Sequence, residues 1–302
     1  MRILLFGKNG QVGNALTQSL AGLGQVIALG RAPEDGLSGD FLDLKALSAT
    51  VRQVKPDLII NAAAYTAVDQ AEREADLAFL INAHAPAILA EEAARLGAWL
   101  VHYSSDYVFD GSGDQPWQEF DQPAPLSVYG KSKWAGDEAV AAYAKHLILR
   151  TSWVYGTTGG NFIRTILRLA AERNPLKIVH DQWGTPTFAT WLAAITSEIV
   201  QVLPNSPKKA GTYHATAQGF TNWRNYAAYL LKTAHDLGQP LKTFAEEDIV
   251  GIASADYPTP AIRPKNSRLS TEKLKKAFGI TPPTWQEGVQ TAVKSIVLER
   301  QK

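Results

Sequence analysis

Cysteine is absent from this 302-residue sequence. Its absence excludes disulfides, thiolate catalysis and cysteine metal sites, and it fits a reducing compartment. Charge of a dominant sign is missing as well. Thirty basic residues stand against 29 acidic ones, a formal charge of +1, so nothing argues for a nucleic-acid backbone or an anionic membrane as partner. Long apolar runs are also lacking: Met1-Arg2-Ile3-Leu4-Leu5-Phe6 gives way at once to Gly7, Lys8 and Asn9, too short for a signal-peptide core or a membrane span. There is no internal repeat, low-complexity tract or long flexible linker. These absences lead us to expect a cytoplasmic protein whose partner is a small molecule. The 45% of hydrophobic residues is ordinary for a soluble globular chain, and the length suits one large or two modest domains.

What is present begins with a short buried strand at residues 3–6 that runs into Gly7-Lys8-Asn9-Gly10-Gln11-Val12-Gly13. From residue 11 to about 23, apolar residues recur at helical spacing, so the glycines lie at a strand-to-helix junction. There Gly7, Gly10 and Gly13 let the backbone approach a pyrophosphate, and the N–H groups of Gln11 and Val12 open a helix whose dipole favours anions. A second strand, at 26–29, ends at Gly30, where a dinucleotide-binding chain usually carries an acid for the adenosine ribose. Arg31 follows, which favours a 2′-phosphate and hence NADPH, with NADH as the alternative; a solvated arginine is the plainer reading. Asp40 and Phe41 could frame an adenine, or begin a strand with a buried Phe. A third strand, at 57–64, runs into Ala62, Ala63 and Ala64, small enough for a backbone to pass close to a ligand. Asp69 and Glu72 look more like a helix N-terminal cap than a catalytic carboxylate pair. The helical stretch 71–96 contains Pro86 and must kink or split, with Asn82 just before the break.

The strand at 99–103 delivers Ser104, Ser105 and Asp106. After a proline-rich loop at 113–126, Ser127 can cap a helix carrying Tyr129 and Lys133 one turn apart on one face, where the cation can stabilise a phenolate. Ser105 thus offers a hydroxyl, Tyr129 a phenol and Lys133 an ammonium to chemistry on a carbonyl. Further strands are expected at 146–150, 177–179 and 211–215, and helices at 161–173, 221–237, 271–278 and 285–298. Residues 257–267, proline-rich and basic, form either a lid over an anionic ligand or an ordinary surface loop. The fold expected is α/β: a Rossmann-type doubly wound parallel sheet with a smaller, mixed α/β substrate-binding lobe. Residues 1–155, with a strand and helix from 156–180, form the dinucleotide-binding part, and 181–302 mainly the second lobe, the chain crossing between them.

Taken together, Gly7-x-x-Gly10-x-x-Gly13, Ser104-Ser105-Asp106-Tyr107-Val108-Phe109-Asp110-Gly111 and Tyr129-x-x-x-Lys133 resemble the extended short-chain dehydrogenase/reductases. Adding Asn61-Ala62-Ala63-Ala64-Tyr65-Thr66-Ala67-Val68-Asp69, Arg150-Thr151-Ser152-Trp153-Val154-Tyr155 and Arg263-Pro264-x-Asn266-Ser267 makes the chain most similar to the dTDP-4-dehydrorhamnose reductase family over almost its full length. That resemblance implies reduction by NAD(P)H of the 4-keto group of dTDP-4-dehydro-β-L-rhamnose to give dTDP-L-rhamnose. It implies Ser105, Tyr129 and Lys133 as the catalytic set, and substrate contacts at Ser105, Asp106 and Trp153. Cofactor contacts are implied at Gly10, Gln11, Val12, Asp40, Phe41, Ala64, Tyr65, Thr66, Tyr103, Tyr129 and Lys133. Some relatives pair through a magnesium site built from glutamates; the matching positions are Ala15 and Thr190, so no metal site and no magnesium-bridged dimer is expected, leaving a monomer or another homodimer.

In the expected mechanism Tyr129 protonates the developing alkoxide at the sugar C4 while it accepts hydride, Ser105 gives a second hydrogen bond, and Lys133 keeps the phenol's pKa low. Trp153 offers a flat face to the sugar and Arg263 a contact to the diphosphate. Two rivals share much of this pattern. One is a reductase of another nucleotide 4-keto-deoxysugar. The other is a non-catalytic NADP-binding subunit resembling the regulatory subunit of methionine adenosyltransferase, which has no need of Ser105, Tyr129 and Lys133 together.

Overall fold

The computed structural model describes residues 1–300. Its first half alternates buried strands with helices: β1 (Arg2–Phe6), α1 (Gln11–Ser19), β2 (Gln25–Leu29), α2 (Leu44–Val54), β3 (Leu58–Asn61), the short α3 (Val68–Ala71) and α4 (Ala75–Phe79), α5 (Ala85–Leu96), β4 (Trp99–Ser105), α6 (Val128–Ala141) and β5 (His146–Thr151). Then come β6 (Val154–Tyr155), α7 (Phe162–Glu172), β7 (Leu176–Val179), β8 (Trp183–Gly184), β9 (Thr187–Phe188), α8 (Ala189–Val202), β10 (Gly211–His214), β11 (Thr221–Asn222), α9 (Trp223–Asp236), β12 (Ile249–Ile252), α10 (Glu272–Phe278) and α11 (Trp285–Arg300). Among the described residues no helix is long and apolar enough to cross a membrane.

Six strands form one sheet in the order β2-β1-β3-β4-β5-β10, and every neighbouring pair is parallel. The apolar runs are continuous because both faces of this sheet are covered. Along β1, Ile3 and Leu5 pack with Leu16 of α1, Leu20 just after it, and Leu192 and Ile195 of α8, while Leu4 and Phe6 pack with Leu47 and Val51 of α2 and Leu89 of α5. β1 lies between β2 and β3, the point where the winding reverses and where open α/β sheets bind ligands beyond their carboxyl ends. Register aligns those ends: Phe6 pairs with both Leu29 and Asn61, and Ser105 with Thr151.

The smaller lobe joins β7 to β12 and β6 to β9 in parallel and β8 to β11 antiparallel, around a second core that includes Ile163, Ile166, Tyr226, Leu230, Val289 and Val293. The helix and strand within 156–180, expected with the first domain, sit in this lobe instead: β7 finds its partner in β12, and the apolar face of α7 packs on α9. Conversely α8 and β10, beyond residue 181, return to the large sheet, α8 against α1 and β10 beside β5. The chain therefore crosses between lobes more than once.

The stretch 71–96 divides as Pro86 requires. α4 ends at Phe79, a π-helical turn spans Leu80–His84, and Pro86 falls in the first turn of α5, where a missing N–H costs little. That turn points Asn82 inward, where its Oδ1 accepts the Tyr65 N–H (2.8 Å) and its Nδ2 donates to the Tyr65 carbonyl and to Ser132 Oγ (both 3.0 Å). Asp69 and Glu72 do not cap their own helix. α3 has no side-chain cap; Asp69 Oδ2 instead accepts from Arg263 Nη2 (2.7 Å), and Glu72 Oε1 accepts the Val128 N–H at the start of α6 (2.9 Å). A four-residue helix presents little to cap, and Asp69 finds a charged donor in Arg263, far along the chain.

Candidate active site

Ser105 is the last residue of β4, and Tyr129 and Lys133 lie one turn apart on α6, which is capped by Ser127 Oγ accepting the Gly130 N–H (3.1 Å). A Cβ on Gly130 would overlap the Tyr107 carbonyl oxygen, so glycine is what lets the first turn of α6 close on the turn after β4. The approach sets the Tyr129 phenol beside the Ser105 hydroxyl and edge-on to the Tyr107 ring, with centroids 5.3 Å apart. Ser105 Oγ donates to Asp106 Oδ1 (3.1 Å) and accepts the Tyr107 N–H (3.2 Å). Asp106 is buried with no partner for Oδ2, and burial pushes its carboxyl up to about 7 against the opposing pull of the Ser267 and Ser105 hydroxyls.

Burial also raises the Tyr129 phenol above its ordinary value; the Ser105 hydroxyl pulls it down, while the charges of Asp106 and Asp137 push it further up. Tyr129 is therefore a protonated acid throughout the neutral range. The expectation of a low phenol pKa is not met in net: desolvation outweighs any pull from Lys133, and the phenol stands above its ordinary value. Lys133 is only 2% exposed, its Nζ donates to the Tyr103 carbonyl (2.7 Å) and faces His102 Nε2 (3.4 Å), and burial pulls it down to about 8 against Asp137.

The glycine loop sits at the reversal point of the sheet. Gly7, at φ +89°, has the Ala63 nitrogen 2.6 Å and the Ala62 carbonyl carbon 2.7 Å from where its Cβ would stand, and a Cβ on Gly13 would overlap the Gly7 carbonyl oxygen. Gly10 caps α1 with no side chain, leaving the helix N-terminus open to an anion, and Val12 follows in its first turn. Gly13→Ala is expected to cost roughly 1–3 kcal/mol of stability, as overpacking does, and to weaken dinucleotide binding. Thermal denaturation with and without NADPH measures both, and an unchanged melting temperature together with an unchanged NADPH shift would show that the loop spreads freely.

At the far end of the crevice Arg31, largely exposed, lies 3.7 Å from Asp40, and Lys8 pairs with Glu34 at 2.5 Å. Gly30 makes room beside them: its Cβ would stand 2.6 Å from Asn9 Nδ2 and 3.6 Å from Lys8 Cε. A ribose 2′-phosphate at this position could draw on Lys8 and Arg31 by displacing Glu34 and Asp40 from them, and the bare helix end fits a pyrophosphate. Other positions anticipated from the sequence offer backbone rather than side chain. The Phe41 ring is buried edge-on to Phe6, Tyr103 is committed to Thr196 through its hydroxyl, and Tyr65 to Glu74. Ala62, Ala63 and Ala64 are half-buried, and Thr66 is exposed. Gln11 is drawn to the smaller lobe, its Oε1 accepting the Gly156 N–H.

Trp153 follows β5 at φ +47° with its ring stacked on Trp223, centroids 3.7 Å apart, and Gly184 is the neighbour that lets the indole lie there. One face of Trp153 is therefore already covered by Trp223. Arg263 donates to Asp69 and lies close enough to the Tyr107 hydroxyl to bond it, so it reaches the rim of the site from the proline-rich loop.

A family model described as the RmlD substrate binding domain matches residues 1–298. The chain belongs to this family. It is 48% identical over 297 residues to the dTDP-4-dehydrorhamnose reductase of Escherichia coli K12, covering 98% of each chain, and 49% identical to that of Salmonella typhimurium LT2, covering 96% of each. Among solved structures, a Bacillus anthracis dTDP-4-dehydrorhamnose reductase in complex with NADP superposes with a TM-score of 0.85 at 33% identity, covering 96% of this chain and 97% of that one. Within the RmlD frame, sequence reasoning missed Lys8, Trp223, His102 and Asp137. Asp137 alone left a signal, since it falls one further turn along the face that carries Tyr129 and Lys133.

Proposed function

We propose that this chain is an NADPH-dependent oxidoreductase that reduces the 4-keto group of dTDP-4-dehydro-β-L-rhamnose to give dTDP-L-rhamnose, as its family membership and its site both support. The observation that carries the reading is the meeting of Ser105, Tyr129 and Lys133 at the carboxyl end of β4, beside a glycine loop bare enough for a dinucleotide. Gly7, Gly10, Gly13 and the backbone of Gln11 and Val12 would hold the pyrophosphate, and Lys8 and Arg31 the adenosine 2′-phosphate. When bound, NADPH supplies the hydride.

The chain's own residues handle the proton. Tyr129, kept protonated by burial, donates from its hydroxyl to the ketone oxygen as that oxygen gains charge, and Ser105 steadies the same oxygen with a second hydrogen bond. The Lys133 ammonium then stabilises the phenolate left on Tyr129. Asp106 would offer its unpartnered Oδ2 to a sugar hydroxyl, Trp153 would bound the ring, and Arg263 would reach the diphosphate from Asp69. A cytoplasmic location accords with the cysteine-free composition, and the near-neutral charge gives no reason to invoke a nucleic-acid or membrane partner. A monomer or a homodimer lacking a magnesium bridge accords with Ala15 on α1 and Thr190 on α8.

The test is NADPH oxidation measured with and without dTDP-4-dehydro-β-L-rhamnose, followed by the configuration of the product at C4. Oxidation that depends on the keto-sugar and yields dTDP-L-rhamnose is expected. Identical traces with and without the sugar would leave a binding subunit, and turnover of a different nucleotide keto-sugar alone would reassign the substrate.

A further inference from the structure

Behind Lys133 lies a buried polar set that the reductase chemistry as described does not use. His102, wholly buried on β4, has its Nδ1 3.0 Å from Asn61 Nδ2 and its Nε2 3.4 Å from Lys133 Nζ. Asp137, on the turn of α6 after Lys133, receives Arg150 Nε on Oδ2 (3.0 Å), while its Oδ1 has no hydrogen-bond partner and stands 3.9 Å from His102 Nε2. The orientation of Asn61 settles where the ring hydrogen sits. Its Oδ1 accepts the Ala63 N–H (3.0 Å), so the atom facing His102 is the amide nitrogen, which can only donate. His102 Nδ1 must accept, and the ring hydrogen is on Nε2, aimed between Lys133 and Asp137.

We infer that His102, its tautomer fixed by Asn61, is a positioning residue that opposes Asp137 in setting the charge of Lys133. An Nε2–H facing an ammonium sets donor against donor and favours the neutral amine, whose lone pair could accept it; the Asp137 carboxylate favours the ammonium. Burial holds His102 well below its ordinary pKa, so it acts as a fixed dipole rather than a second charge. The other groups on the packed elements are placed differently. Arg150 of β5 is bound to Asp137, Asp106 follows β4 on the Ser105 side, Asn82 of the π-helical turn is neutral, and Glu92 of α5 is held by Arg52 and Arg95. Asp137 is the charge that counts at Lys133, against the desolvation that pulls it to about 8. A lysine poised there, behind the phenol that must become a phenolate, makes the reduction sensitive to anything that moves this balance.

This rests on the reductase reading, and two kinds of measurement separate them. The first is the alkaline limb of kcat/KM for keto-sugar-dependent NADPH oxidation, expected near pH 8 as Lys133 loses its proton. Asp137→Asn should move that limb down by about one unit or more, the effect of removing a nearby opposite charge. Asn61→Asp, which adds a negative charge as well as an acceptor that draws the ring hydrogen to Nδ1, should move it up by about one unit or more, and His102→Gln, able to turn its carbonyl to Lys133 with no added charge, should move it the same way through the dipole alone. The second is NMR of the protein without ligands, with 15N-labelled histidine and side-chain 13C-labelled lysine. It should show His102 as the Nε2–H tautomer in the wild type and as Nδ1–H in Asn61→Asp, with the Lys133 midpoint following the same opposite shifts. Limbs or midpoints that do not move, that move together in Asn61→Asp and Asp137→Asn, or a wild-type His102 protonated on Nδ1, would overturn the inference. Should His102→Gln fail to fold, Asn61→Asp and the wild-type spectrum still decide. A wild type with no keto-sugar turnover but with the expected NMR behaviour would sink the reductase reading and leave this one standing.

Discussion

Tyr129→Phe should lower kcat by about 10² to 10⁴, the usual worth of a positioned general acid, while leaving NADPH affinity and melting temperature close to those of the wild type. The argument for so selective a loss is geometric. The ring packs edge-on against Tyr107 at 5.3 Å, and that contact survives in phenylalanine. The Ser105 hydroxyl beside the phenol already donates to Asp106 Oδ1, so removing the Tyr129 oxygen strands no buried donor. Because burial keeps the phenol protonated well above neutrality, the wild-type rate should show no limb from Tyr129 itself between pH 6 and 9, and the alkaline fall belongs to Lys133. Stopped-flow oxidation of NADPH with the keto-sugar in excess measures the loss. A rate within tenfold of wild type would remove Tyr129 as the proton donor.

Much of the scaffold that places Tyr129 could be read from the chain alone, because its causes are local. Continuous apolar runs marked β1, β3 and β4 as strands covered on both faces, Pro86 forced the break before α5, and Ser127 announced the start of α6. What escaped depends on residues far apart in sequence. Asp69 carried every local mark of a helix cap, yet its partner is Arg263, 194 residues on. β7 looked like any buried strand until β12 paired with it, and β10 returns to the large sheet only because β5 presents an open edge. The site shows the same division. Tyr129 and Lys133 share a helix and were visible together, but the environment that sets their protonation comes from β3, β4 and β5, through Asn61, His102, Ser105 and Arg150. A spacing rule suggested that lysine lowers the phenol's pKa; only the packing shows that desolvation of both groups outweighs it.

The same desolvation makes Asp106→Asn a stabilising substitution at alkaline pH. The folded protein holds the Asp106 proton up to about pH 7, whereas the unfolded chain releases it near the ordinary value of 3.8, so folding takes up a proton in that window. Stability from this group is therefore intact below the unfolded value and declines as pH rises, at about 1.4 kcal/mol per pH unit, until the folded carboxyl ionises. The carboxylate then sits 2% exposed with Oδ2 unpartnered. Asparagine removes that charge and keeps Oδ1 as the acceptor for Ser105. Relative to wild type, the variant should gain about 2 to 3 kcal/mol between pH 5 and pH 8, read from denaturant midpoints at the two values. A gain equal at both pH values would mean that Asp106 titrates normally. Under the proposed function, a sugar hydroxyl donating to Oδ2 would supply the partner this oxygen lacks. Adding dTDP-L-rhamnose at pH 8 should accordingly raise the melting temperature of the wild type more than that of Asp106→Asn. An equal shift in both proteins would place the sugar elsewhere.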